Sequence, residues 1–183
     1  MSTVNYYSAF ILTDRDEPLK ANDQGAYELA HATLYKIRMV NHHPRLRCDA
    51  TVQIDGREIG TYRINPSSMF TLERTSEVKK RLTFYKVDSQ QGKEAALDKD
   101  NPALGKVKII FAQEKSFTAR KLVFEAVDGV PKCAPCEGTP RGGTGLSQVS
   151  TQSFITVPDI PISERFTLNL VLTLKESTVE PLR

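Results

Sequence analysis

Phe166-Thr-Leu-Asn-Leu-Val-Leu-Thr-Leu174 is the stretch that decides the fold class. Phe166, Leu168, Leu170, Leu172 and Leu174 fall on one face of an extended chain. Thr167, Asn169 and Thr173 fall on the other, with Val171 the apolar exception. Strand side chains alternate between faces with a period of two, so this is a strand with one buried and one mostly polar face. The same alternation recurs upstream. In 33–41, Tyr35, Ile37 and Met39 oppose Lys36 and Arg38. In 46–54, Leu46, Cys48, Ala50, Val52 and Ile54 alternate with Arg47, Asp49, Thr51 and Gln53. Leu82 and Phe84 mark the inward face of 79–87, and Val107, Ile109 and Phe111 that of 106–113.

Turn chemistry separates these runs. Asp55-Gly56 sits directly between 46–54 and a returning strand at 57–64. Both central residues of a type I′ turn need positive φ, so Asp-Gly between alternating runs predicts a tight hairpin. Asn65-Pro66-Ser67-Ser68 is a second turn, leading into a strand at 69–74. Further strands are expected at 6–13, 120–127 and 152–157, with Pro158 and Pro161 placed where no ladder donor is needed. Helix is confined to 22–32 and to two turns within 93–99. The stretch 14–25 reads as a polar loop. Residues 128–150 are rich in Gly, Pro and Cys and lack periodicity.

This pattern predicts an all-β chain, an antiparallel β-sandwich spanning 1–183 as a single domain. Residues 1–32 supply an N-terminal strand and arm, and 88–105 and 128–150 are two long loops. Greek-key connections accommodate such loops, and a single jelly roll is the eight-stranded form of that arrangement. A parallel α/β fold needs recurring crossover helices, which are missing from the pattern.

The bulk numbers set the class. At 183 residues, 39% hydrophobic and 26% charged, the chain has the profile of a soluble globular domain. A net charge of +3 is too weak to argue for nucleic-acid binding, and no specific nucleic-acid site is expected. No stretch approaches the roughly 18 apolar residues of a membrane span. The N-terminus Met1-Ser-Thr-Val-Asn-Tyr-Tyr7 lacks the basic and apolar regions of a secretory signal, so a cytosol-like site of synthesis is expected.

Reactive groups are sparse. Cys133-Ala-Pro-Cys136 has the spacing of half a zinc site or of a redox dithiol. No second pair exists, and Cys48 falls on an inward face where a thiol behaves as a small hydrophobe. Loop thiols are the leading reading, ahead of a disulfide and of metal. His42 and His43 are adjacent, which places them on opposite faces of a strand and argues for a turn before Pro44. Gly142-Gly-Thr-Gly145 lacks the lysine and the strand-to-helix context of a phosphate loop. Asp98 and Asp100 read as solvated loop carboxylates. No catalytic, metal or cofactor-binding residue is assigned. The one candidate interface is Lys36, Arg38, Arg45 and Arg47, expected on the outward faces of two paired strands, where they suit an acidic protein partner.

Two segments carry a resemblance. They are Asp55-Gly-Arg-Glu-Ile-Gly-Thr-Tyr-Arg-Ile-Asn-Pro-Ser-Ser-Met-Phe-Thr-Leu-Glu-Arg74 and Gly142-Gly-Thr-Gly-Leu-Ser-Gln-Val-Ser-Thr-Gln-Ser-Phe154, which leads into the last strand. Together they resemble the single-jelly-roll penton, or minor capsid, proteins of large icosahedral DNA viruses with an internal membrane. The resemblance implies a non-enzymatic subunit made in a host cytoplasm and resident in the virion. It implies a homopentamer that closes a vertex and contacts other capsid proteins. A cyclic ring uses heterologous interfaces, so two different surfaces of one chain must be complementary. The alternative is a ligand- or carbohydrate-binding β-sandwich module, weakened by the absence of Trp. An enzyme of cupin type ranks third, because His31, His42 and His43 do not arrive from several strands.

Overall fold

A computed structural model describes residues 1–116 and 141–175. In chain order the elements are β1 (Ser2–Val4), β2 (Tyr7–Thr13), β3 (Ala26–Leu29), β4 (Thr33–Asn41), β5 (Cys48–Ile54) and β6 (Arg57–Ile64). They continue with β7 (Ser68–Leu72), β8 (Lys80–Lys86), α1 (Gln90–Glu94), β9 (Lys106–Glu114), β10 (Gly142–Val149) and β11 (Ile162–Leu174). The expected strand at 120–127, and Cys133 and Cys136, lie outside the described residues.

Two sheets pack face to face. The first runs β1-β2-β4-β8-β10; β7 pairs with the second half of β4 and β8 with its first two residues. The second runs β3-β11-β9-β5-β6. Every pair is antiparallel except β3 with β11, which is parallel. The all-β sandwich is therefore as the alternation predicts, with one mixed edge. These strand orders establish a sandwich and do not spell out the interleaved Greek keys of a jelly roll.

Inward residues of the two sheets meet in one core. Ile11, Ile37 and Phe84 from the first sheet, and Val52, Phe111 and Leu170 from the second, are each at most 1% exposed. Tyr7 lies flat on Phe111 across the layers, with ring centroids 4.8 Å apart, and donates its hydroxyl to Gln113 Oε1. An offset aromatic pair of this kind adds to the area that it buries. Leu168, Leu170 and Leu172 point into the core, and Phe166 and Leu174 pack at its margins.

Four expectations are corrected. The first concerns 22–32, which forms β3 and no helix. Asn22 Oδ1 accepts from the backbone N–H groups of Gln24 and Ala26 and bends the chain, after which Tyr27 and Leu29 turn inward along β11. Tertiary pairing overrides a weak helical pattern here. Next, the short helix sits at Gln90–Glu94, ahead of the expected 93–99. Ser89 caps it through Gly92 N–H, and Ala96 at φ 53° leaves helical space.

The third correction is β10, which occupies part of the expected loop 128–150. Its glycines hide it, because glycine is depleted in strands. They are needed for close approach: a Cβ on Gly142 would run into the Phe84 ring, and one on Gly145 would sit 2.6 Å from Tyr85. The last is the expected strand 152–157, which forms no ladder. Residues 151–161 are a strap that crosses from the first sheet to the second. Gln152 Nε2 donates to Thr71 O at 2.7 Å and Arg74 Nε donates to Gln152 O at 2.7 Å. Phe154 then packs between Tyr62 of β6 and Phe70 of β7, with the Arg74 guanidinium 4.2 Å over its ring. An arginine 4% exposed is thus held by carbonyls and an aromatic face.

Candidate functional site

The site begins at the hairpin turn. Asp55 and Gly56 have φ of 53° and 80°, as a type I′ turn requires, and Ile54 faces Arg57 across it. Asp55 does more than turn the chain. One carboxylate oxygen accepts from Gly105 N–H at 2.6 Å and the other from Thr144 N–H at 2.7 Å. Its carbonyl accepts from Asn101 Nδ2 at 2.9 Å. A single side chain therefore ties the β5–β6 turn to the 88–105 loop and to the start of β10. Burial pushes the carboxyl above its ordinary range, opposed by the two backbone hydrogen bonds and by Arg57. Tyr35 closes the network, its buried hydroxyl 2.6 Å from Thr144 Oγ1. The dipeptide gave away the turn but not this second role.

Beside the tie lies a cleft of about 720 Å3. Its walls come from the β5–β6 turn, the segment 75–80, α1 with the loop after it, and the glycine-rich start of β10. Ile59, Leu97 and Leu146 give it apolar surface, and charged side chains of both signs surround them. The volume lies within the roughly 300–1,000 Å3 range of small-molecule sites.

The four basic residues do not form one patch. β4 and β5, expected to pair, belong to opposite sheets. Lys36 and Arg38 lie on the outer face of β4, where both share an ion pair with Asp16, at 2.9 and 3.8 Å. Arg47 precedes β5 in the other sheet and is ion-paired with Glu114, whose carboxyl is held below its ordinary range by that hydrogen bonding. Arg45 is exposed in the turn between the sheets. Alternation placed each residue on an outward face but could not say which strands pair.

That turn explains the histidines. Asn41 is fully buried and donates through Nδ2 to the carbonyls of Leu46, Ile64 and Asn65. His43 Nδ1 accepts from Arg45 N–H and Leu46 N–H, at 3.1 and 2.9 Å. The His42 ring nitrogen Nε2 lies 2.8 Å from Ser8 Oγ. The pair builds a corner, as the turn reading expects. A doubly protonated ring cannot accept at Nδ1, and burial with Arg45 nearby lowers the His43 pKa. With the folded pKa below the ordinary value of about 6.5, His43 contributes stability that is present above that value and lost as pH falls. Urea midpoints should fall between pH 7 and 5.5, and His43→Asn, which offers a neutral acceptor, should flatten that slope. An unchanged slope in the variant would remove His43 from the account.

Cys48 is fully buried in the core, and burial raises its thiol pKa to about 12, which leaves it inert at neutral pH. Among the described residues, no three of His, Cys, Asp and Glu are placed to share a metal ion. No helix among them is long and apolar enough to cross a membrane. Fold and site thus define a β-sandwich domain with a loop-walled cleft at one end. Comparison with family models, curated proteins and solved structures finds no match to this chain.

Proposed function

We propose that the chain is a non-enzymatic structural subunit of a viral capsid, a vertex (penton) or minor capsid protein built on a single jelly roll. It acts through contacts with copies of itself, as a homopentamer, and with other capsid proteins in the virion. One observation carries the reading. The two segments of the resemblance, 55–74 and 142–154, are distant in sequence but form one unit in space. Asp55 binds Thr144 N–H, Gln152 is hydrogen-bonded to Thr71, Glu73 and Arg74, and Phe154 packs on Tyr62 and Phe70. A resemblance spread over two segments gains weight when they are packed against each other.

Surface chemistry supports the same reading. Met69 is 61% exposed on β7, and Ile155 is 86% exposed on the strap. Such side chains suit burial against a neighbouring subunit. Of Lys36, Arg38, Arg45 and Arg47, Arg45 is the one that is exposed and in no ion pair among the described residues, so it is the one left for an acidic group of a neighbour. The test is the mass of the purified chain by light scattering over a concentration range. A discrete species of about five chains is expected, since a closed heterologous ring has a fixed size. A monomer at every concentration counts against the ring. It favours the second reading, a ligand- or carbohydrate-binding module, for which the cleft is the supporting observation.

A further inference from the structure

The cleft at the end of the sandwich has a charge balance opposite to that of the chain. The protein carries a net +3, whereas the cleft is rimmed by Glu58, Glu77, Glu94 and Asp98 against Arg57 and Lys80. The fifth carboxylate, Asp55, is occupied by two backbone N–H groups. The four rim carboxylates come from β6, the β7–β8 connection, α1 and the loop after it. None of the six rim charges takes part in an ion pair among the described residues. Other charged side chains are paired, as in Lys36–Asp16, Arg63–Asp49 and Arg47–Glu114. A concave site with walls of low dielectric focuses the field of its excess charge.

The arrangement of the acids narrows the cation. They surround the cleft and do not converge on the single point that a metal ion needs. Between them lie the half-buried Ile59, Leu97 and Leu146, a floor for aliphatic carbon. Positive centres separated by methylene groups match both features, and an anion is opposed by the rim. We propose that this cleft binds a linear polyamine, its ammonium groups on the rim carboxylates and its methylene spacers over the apolar floor. All the lining residues belong to one chain, so the site does not rest on ring formation.

Titration calorimetry of the full chain with spermidine at low salt tests this. Saturable binding at one site is expected. Glu58→Gln combined with Glu77→Gln should weaken it by about five- to ten-fold, since each exposed pair is worth up to roughly 1 kcal/mol. Both residues are exposed, and the thermal midpoint of the double variant should match the wild type. Glu164→Gln, on an exposed position of β11, should leave binding unchanged. Equal affinity in the double variant and wild type would overturn the proposal. So would the absence of saturable heat at millimolar spermidine. Displacement by magnesium chloride at equal cation charge would also overturn it, because a diffuse counterion effect then suffices. So would a neutral sugar competing for the cleft.

Discussion

Asp55→Ala should destabilise the domain by about 3–5 kcal/mol, measured as a shift in urea unfolding free energy. Two buried N–H donors, of Gly105 and Thr144, would lose their acceptor. Each buried donor left unsatisfied costs about 1–3 kcal/mol. Alanine at φ 53° adds about 1 kcal/mol of left-handed backbone strain. Asp55→Asn separates these contributions. Asparagine tolerates positive φ and keeps one acceptor oxygen, but turns an amide NH2 toward the other donor. Its cost should fall between zero and that of the alanine variant. Amide exchange at Gly105 and Thr144 should accelerate in both variants, ahead of exchange at core residues such as Phe111. A loss under about 1 kcal/mol in Asp55→Ala would mean that the turn, and not the carboxylate, holds this end together.

Leu170→Ala should cost about 2–5 kcal/mol, the range for a buried leucine truncated in a packed core. Leu170 is 1% exposed, in the middle of β11, between β9 and β3. Its neighbours on the same face, Leu168 and Leu172, are 4% and 3% exposed and fixed in ladders, so collapse around the cavity is limited. Asn169→Ala is the control. Asn169 lies on the opposite face and is exposed, so its loss should stay within about 0.5 kcal/mol. Equal stability of the two variants would put β11 the other way round and undo the core assignment.

Where side chains alternate and tertiary demands agree, the sequence was legible. The strand 33–41 and the returning strand 57–64 match β4 and β6 end to end, and the Asp55-Gly56 turn forms between two strands of one hairpin. The inward positions of Tyr35, Cys48 and Ile109 follow from period two alone. β10 was illegible because its glycines serve neighbouring aromatic rings rather than strand propensity. β3 was illegible because four residues are too short for a period, and a parallel partner far along the chain decides them. The strap reads as a strand because its apolar spacing resembles one. Its hydrogen bonds instead come from the side chains of Gln152 and Arg74.

The candidate site divides the same way. Sequence marked Asp55 as a turn residue and the four basic residues as outward. It had no means of showing that Lys36 and Arg47 lie in opposite sheets, or that Asp55 binds Thr144 across 89 positions. By itself, then, the sequence determined the all-β class, the core faces and the hairpin, because period and turn chemistry act over a few residues. Only the tertiary structure decided sheet membership, the strap and the cleft. Those depend on which distant backbones exchange hydrogen bonds, and every exposed strand edge offers the same donors and acceptors.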